Sequence, residues 1–528
     1  MKNTRKTERG SALILTGIIT IVLVVSIASF LTLISNEFNI SNKAINTIKA
    51  FNIADGGIEY AEYYISSQGN PANLVDHSFT TTNGTAVITI TKRGTDPLYD
   101  VTSYATVGGS TKGIEALIEK NPPSKVFDYV YFLNNWGYAW GSSITMTGDM
   151  RSNGHFGVRD NPTLDGDLLA SGNVHEGSNY NTPLQSSDVN GMASDEEFWH
   201  PKSEQLDMPN LYQMQYYKDL ATEKEGKIWI GQVGEEATVE NTLVTGVYGD
   251  EDGEGKHLMI TSQGAHVIHI DGPVVIEGNV IIRGKITGQG CIYSGKNIYL
   301  AGDVEYNDPP DFENRPWDER EDDYENEITQ WVDANRDKDM VGFAAQENIV
   351  AGNWTKNTWH PKSYQGMWEG WGAEDAGQDG IPYTNDTGEG DENWDQVTED
   401  VDGDGVYDDN YSFDVDITPC DENNDPLSYE DFDNRPNWAN NFDAVHQHIN
   451  IKRLDGIYYT NHIMAAGTQQ FEFHGTLVSK DEAIVYSTFL NFGYDDRIHS
   501  RFRDYDNYDI IIDVPRDLTA RVVFWREL

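Results

Sequence analysis

Four aspartates alternate through the run Asp400-Val401-Asp402-Gly403-Asp404-Gly405-Val406-Tyr407-Asp408. Carboxylates at loop positions one, three, five and nine, a glycine at six for the sharp turn, and the Val406 carbonyl at seven are the oxygen donors of a calcium loop. Position twelve is Tyr411, which has no bidentate carboxylate to offer. Asp409, Asp414 or Asp416 must stand in for it, or the site is weak. A dissociation constant of ~0.1–1 mM would still fill in extracellular fluid. Without a metal the run is a solvated acidic turn.

The spacing resembles the calcium loops of EF-hands, dockerins and, most closely, thrombospondin type 3 repeats. It sits in a stretch between about 352 and 446 where periodicity disappears and Gly, Asp, Asn and Trp dominate. So much tryptophan argues against simple disorder, and a bound cation would supply the order such a loop needs.

Little else points to chemistry. No Gly-x-Ser-x-Gly, His-Glu-x-x-His, P-loop or Cys-x-x-Cys pattern is present. Carboxylates are too numerous for a catalytic pair to stand out, and His446 with His448 reads as structural. The chain is expected not to be an enzyme, with a polysaccharide-active solenoid as the minority alternative. Cys291 and Cys420 permit one disulfide in an oxidising compartment, or two unrelated thiols. With 37 basic against 86 acidic residues the formal charge is −49, which excludes a nucleic-acid partner along the body.

The elements that carry these residues begin with a basic leader, Met1 to Gly10, and an uncharged apolar run from Ser11 to about Ser35. That run is long enough to span a bilayer, with Lys2, Arg5, Lys6 and Arg9 on the cytoplasmic side. Secretory cleavage after Ala28 would leave an apolar new terminus, Ser29 onward. Beyond the run, Ile45, Ile48, Phe51, Ile58, Ala61 and Ile65 recur at helical spacing, so one helix is expected over 11–68. Gly56 and Gly57 weaken it locally.

The pattern Gly10-Ser11-Ala12-Leu13, then Ala50-Phe51-Asn52-Ile53-Ala54-Asp55-Gly56-Gly57-Ile58-Glu59-Tyr60-Ala61, resembles the type IV pilin superfamily, and within it the PilX-like minor pilins. The resemblance implies cleavage by prepilin peptidase between Gly10 and Ser11 and N-methylation of Ser11. It implies other minor and major pilins and the inner-membrane assembly platform as partners. Leu15 stands where major pilins carry a glutamate that neutralises a neighbour's terminal ammonium. A subunit lacking it suits a filament tip, or the priming of assembly, better than repeated insertion in the shaft.

The expected fold class is α+β, a pilin-type helix followed by a large β-rich head. Residues 70–120 read as a small pilin-like sheet, and 121–351 as β-solenoid-like, with short apolar runs between glycines and a helical insertion near 211–224. An irregular β-sandwich is the alternative. The acidic insert, 352–446, and a C-terminal β region, 447–528, complete the chain. Two short sequences recur: Trp199-His200-Pro201-Lys202-Ser203 at 359–363, and Asp311-Phe312-Glu313-Asn314-Arg315-Pro316 as Asp431-Phe432-Asp433-Asn434-Arg435-Pro436.

The function this implies is a minor pilin-like component of a type IV pilus or secretion pseudopilus, made in the inner membrane and displayed at the pilus tip or cell surface of a bacterium. There it would prime assembly or bind a surface glycan or cell-surface target. A permanently anchored envelope protein with a ligand-binding head is the second expectation.

Overall fold

The computed structural model describes residues 7–68, 71–82, 84–94, 96–209, 211, 214–249, 257–352, 427, 432–435, 451–503 and 511–528. It divides into two compact units, Met1–Pro122 with Leu518–Leu528, and Pro123–Asp517. The class is α+β: a long N-terminal apolar helix, then a large β-rich region.

The first unit is one helix on one antiparallel sheet. Helix α1 runs unbroken from Thr7 to Ser67, roughly 90 Å at 1.5 Å per residue. Strands β1 (Leu74–Thr81), β2 (Gly84–Lys92), β3 (Leu98–Val107) and β4 (Ser110–Lys120) follow as a meander. Alternation turns Ala86, Ile88 and Ile90 of β2, Val101 and Ala105 of β3, and Ile114, Ala116 and Ile118 of β4 toward α1. A fifth strand, Ala520–Glu527, comes from the far end of the chain and pairs antiparallel with β4.

The second unit is dominated by parallel pairing. Tyr131–Leu133 pairs with Met150–Ser152, which pairs with Leu168–Ala170, which pairs with Trp199–Pro201. A second run takes Leu258–Thr261 onto Val280–Arg283, then Ile298–Leu300, then Ile349–Ala351, then Met464–Ala466. Where no loop intervenes the partner lies eighteen residues on, as in Met150↔Leu168, Gly272↔Gly290 and Val280↔Ile298.

The long strand Arg453–Tyr494 joins the two runs. Its residues Ile457–Thr460 lie on Gly342–Ala345, while Leu477–Ser479 lies on Tyr131–Leu133 and Leu490–Gly493 on Ile144–Thr147. Among the described residues a continuous apolar core runs from Val126 to Val514, with a smaller cluster of Tyr324, Ile328, Trp331 and Val332 beside it. Packed sandwiches are built of antiparallel sheets, so the parallel ladders argue against the sandwich expectation.

Among the described residues two α-helices interrupt the strands, α2 (Met214–Lys224) and α3 (Tyr324–Asn335). The first matches the helical insertion expected near 211–224; the second was not expected. Arg497 fixes the end of α3. It donates to the carbonyls of Asn335, Lys338 and Asp339 at 2.8–3.0 Å while its guanidinium pairs with buried Asp495. Carbonyls left open at a helix C-terminus favour such a cation. Next to it, buried Arg315 pairs with buried Asp496.

Candidate functional site

The apolar half of α1 is built to lie in hydrocarbon or among other apolar helices. From Leu13 to Ile40 its large side chains are all exposed, and none of its membrane-length window is buried within the chain. Its hydroxyls are satisfied internally: Thr20, Ser26, Ser29 and Thr32 each donate to the carbonyl four residues earlier at 2.8–2.9 Å. A span without water needs its polar groups paired in this way. Gly10 and Ser11 lie in the first turns of this helix, and Leu15 is 60% exposed.

The second half of α1 docks on the sheet. The buried face is Ala50, Ile53, Ala54, Ile58, Ala61 and Ile65, a stripe at spacings of three and four. Ile45 and Ile48, expected on the same face, are exposed instead. Before Ala50, Asn46 approaches the sheet at the Gly108 turn, and among the described residues no apolar side chain of the helix is buried there, so the spacing of Ile45 and Ile48 reports no packing. Gly57 lies in close contact with the sheet. A Cβ there would sit 2.2 Å from Ser103 Oγ and 3.2 Å from Ala86 Cβ, whereas one at Gly56 meets nothing within 4 Å.

The calcium-loop residues Asp400, Asp402, Asp404, Val406 and Asp408, with Asp409, Tyr411, Asp414 and Asp416, lie outside the described residues. So do Cys420, His446, His448 and the second Trp-His-Pro-Lys-Ser copy. Among the described residues no group of three His, Cys, Asp or Glu side chains is placed to hold a metal ion. Cys291 is a free thiol, and burial pushes its pKa well above the ordinary range.

The structure gives the repeats a place. Trp199–Pro201 is a parallel strand on Leu168–Ala170, pinned by Trp199 Nε1 donating to the Ala193 carbonyl at 2.7 Å. In the first Asp-Phe-x-Asn-Arg-Pro copy, the Phe312 ring lies flat on His474, with centroids 4.4 Å apart and planes at 10°. In the second, Phe432–Arg435 pairs with His257–Ile260 and Phe432 packs on His257 at 5.4 Å. Each copy thus docks a phenylalanine on a histidine.

Sequence reasoning missed an asparagine ladder that ties successive strands together. Asn279 Oδ1 accepts from Asn297 N at 3.0 Å, Asn297 Oδ1 from Asn348 N at 2.8 Å, and Asn348 Oδ1 from Ile463 N at 3.3 Å. The signal was present: each of these asparagines stands directly before an apolar triplet, as in Asn279-Val280-Ile281-Ile282 and Asn297-Ile298-Tyr299-Leu300.

One cleft of the second unit combines aromatic and polar groups. It holds about 540 Å³ between the Pro309–Trp317 loop and a wall formed by Arg453, Glu472, His474 and Asn491. His474 is fixed at both nitrogens, Nδ1 at 3.0 Å from the fully buried Asp455 and Nε2 at 3.4 Å from Glu472. Asp455 also accepts from Arg453 Nε at 2.9 Å and from Tyr306 N at 2.9 Å.

No protein-family model and no curated protein matches the chain. Among solved structures, the competence-associated pilin ComZ from Thermus thermophilus aligns over 92% of this chain and 97% of its own, at 11% identity and a TM-score of 0.29. Likeness at that level does not carry fold or function from one chain to the other.

Proposed function

We propose that the chain is a membrane-inserted, pilin-like subunit that carries a large β head to the cell exterior. One observation supports this best. A single unbroken helix is exposed and apolar over its first half, and over its second half is the core element of a small antiparallel sheet. An ordinary anchor would be joined to its domain by a linker, and its tilt would be independent of the domain. Here the span and the domain share one rigid rod, the arrangement a subunit needs if it is to leave the bilayer and pack by that helix in a filament.

On this reading the subunit is a PilX-like minor pilin, cut between Gly10 and Ser11 by prepilin peptidase and methylated on Ser11. Leu15 deprives it of the carboxylate that would neutralise a neighbour's buried ammonium, and an unpaired buried charge costs several kcal/mol. That favours a place at the tip or in priming over the shaft. Its partners are other pilins and the assembly platform. It begins in the inner membrane and ends at the pilus tip or cell surface, as a binding rather than catalytic component. The 400–408 loop holds calcium. The head is solenoid-like, a reading supported by the eighteen-residue spacing of parallel partners and by the asparagine ladder.

Mass spectrometry of the N-terminus from native cells tests this. The expected product begins at N-methylated Ser11. An intact Met1 would mean a permanent anchor, a start at Ser29 simple secretion, and either removes the pilin reading.

A further inference from the structure

We infer that the cleft between the Pro309–Trp317 loop and the Glu472–His474 wall binds a neutral oligosaccharide, independently of whether α1 enters a filament. The loop is part of a long excursion between two strands of the parallel ladders, Ile298–Tyr306 and Met340–Ala345. It is clamped at two points, by the Phe312–His474 stack and by Arg315 on buried Asp496. The cleft is therefore preformed, and its volume of about 540 Å³ lies inside the range of small-molecule sites.

Its lining names the ligand class. Trp317, on the loop side, is 46% exposed although it is a large apolar ring. A ring presented this way offers a flat face to another flat apolar face, such as the C–H face of a pyranose. Around it stand planar polar groups that suit hydroxyls: the Glu472 carboxylate, 44% exposed, the Arg453 guanidinium, 30% exposed, and the Asn491 amide. Glu472 is also held by its contact with His474, and Arg453 by Asp455, so neither must be ordered when a ligand arrives.

Charge decides among ligands. Both arginines of the lining are engaged with buried carboxylates, Arg315 with Asp496 and Arg453 with Asp455. Asp311, Glu313 and Glu472 also line the cleft, and among the described residues no ion pair with lysine or arginine offsets their carboxylates, that of Asp311 accepting from the neutral Asn314 amide, so an anionic ligand such as a uronate chain is repelled. A peptide adding itself as a strand is disfavoured because the wall's backbone is already used. Glu472 N donates to the Lys452 carbonyl at 2.8 Å, and Asn491 pairs with Thr145. What remains is a ligand that meets side chains: uncharged, hydroxyl-rich and flat on one face.

The test uses the full chain in detergent on a printed array of neutral and anionic glycans with a lysine-rich peptide as control, followed by calorimetric titration of the best neutral hit. The expected result is a neutral oligosaccharide bound, with Trp317→Ala and Glu472→Gln each weakening it by about tenfold and the thermal midpoint unchanged. Trp317 is exposed, so that variant keeps its fold, and the thermal midpoint verifies it. Binding to no neutral glycan, preference for uronates or for the peptide, or neutral binding indifferent to both substitutions would each overturn the inference.

Discussion

At the scale of single residues, adjacent glycines in α1 have opposite roles. Gly57 lets the helix approach Ser103 and Ala86, while Gly56 faces open space. Gly56→Ala should stabilise the first unit by roughly 0.5–1 kcal/mol, since alanine restores helix propensity and loses less entropy. Gly57→Ala should destabilise it by about 1–3 kcal/mol through overpacking. Urea unfolding of the two variants in detergent would show opposite shifts in midpoint, and equal shifts would disprove the packing argument. In the second unit, burial raises the carboxyl of Asp149 from 3.8 to about 7, with nearby Glu319 and Asp167 adding to the effect. A raised carboxyl contributes stability below its unfolded pKa and loses it as pH rises through the folded one. Asp149→Asn should therefore leave stability unchanged below about pH 4 and increase it above pH 7, where the wild type carries an unfavourable buried charge. Urea midpoints across that range would show it, and a constant difference at all pH values would contradict it.

At the scale of elements, the asparagine ladder joins strands that are far apart in sequence. Asn297 alone donates to Asn279 and Glu347 and accepts from Asn348 N. Asn297→Ala leaves the half-buried Asn348 amide and Glu347 carboxylate without this partner, while Asn279 Oδ1 keeps its bond from the backbone N of residue 297, which should cost about 1–3 kcal/mol. Chemical denaturation of the second unit would measure it, and a change below about 0.5 kcal/mol, the range of surface substitutions, would mean water replaces the ladder. This element was legible in principle but was not read. The strands around it were visible as apolar runs between glycines, because a short continuous apolar run bounded by turn residues marks a buried strand. What periodicity cannot encode is the partner: nothing in Ile349-Val350-Ala351 says that it lies on Ile298–Leu300. The docked face of α1 was half legible for the same reason. Ile58, Ala61 and Ile65 are buried, while Ile45 and Ile48 share the spacing without a sheet to meet.

At the scale of the whole molecule, the chain leaves its first unit at Pro122, builds the second, and returns for the final strand. Ala-Arg-Val-Val-Phe-Trp-Arg-Glu reads as a strand, yet its place beside β4 is a long-range fact that no local pattern could reveal. Truncation before Ala520 should lower the unfolding transition of the first unit and leave that of the second in place, because the two have separate cores. Calorimetry of full and truncated chains checks this, and a joint shift of both transitions would contradict it. The candidate site divides in the same way. The apolar helix was readable from composition, and cleavage between Gly10 and Ser11 is only what the pilin resemblance implies; the cleft was not readable, since Trp317, Arg453, Glu472 and Asn491 meet only in three dimensions.

A pilin-like role requires α1 to move from the bilayer into an assembly of like helices. The most direct measurement is a blot for the head in filaments sheared from native cells, with an assembly-deficient strain as the control. The protein is expected in the sheared fraction, starting at Ser11, and only when assembly is intact. A protein that stays in the membrane pellet of both strains, with Met1 present, would contradict that role.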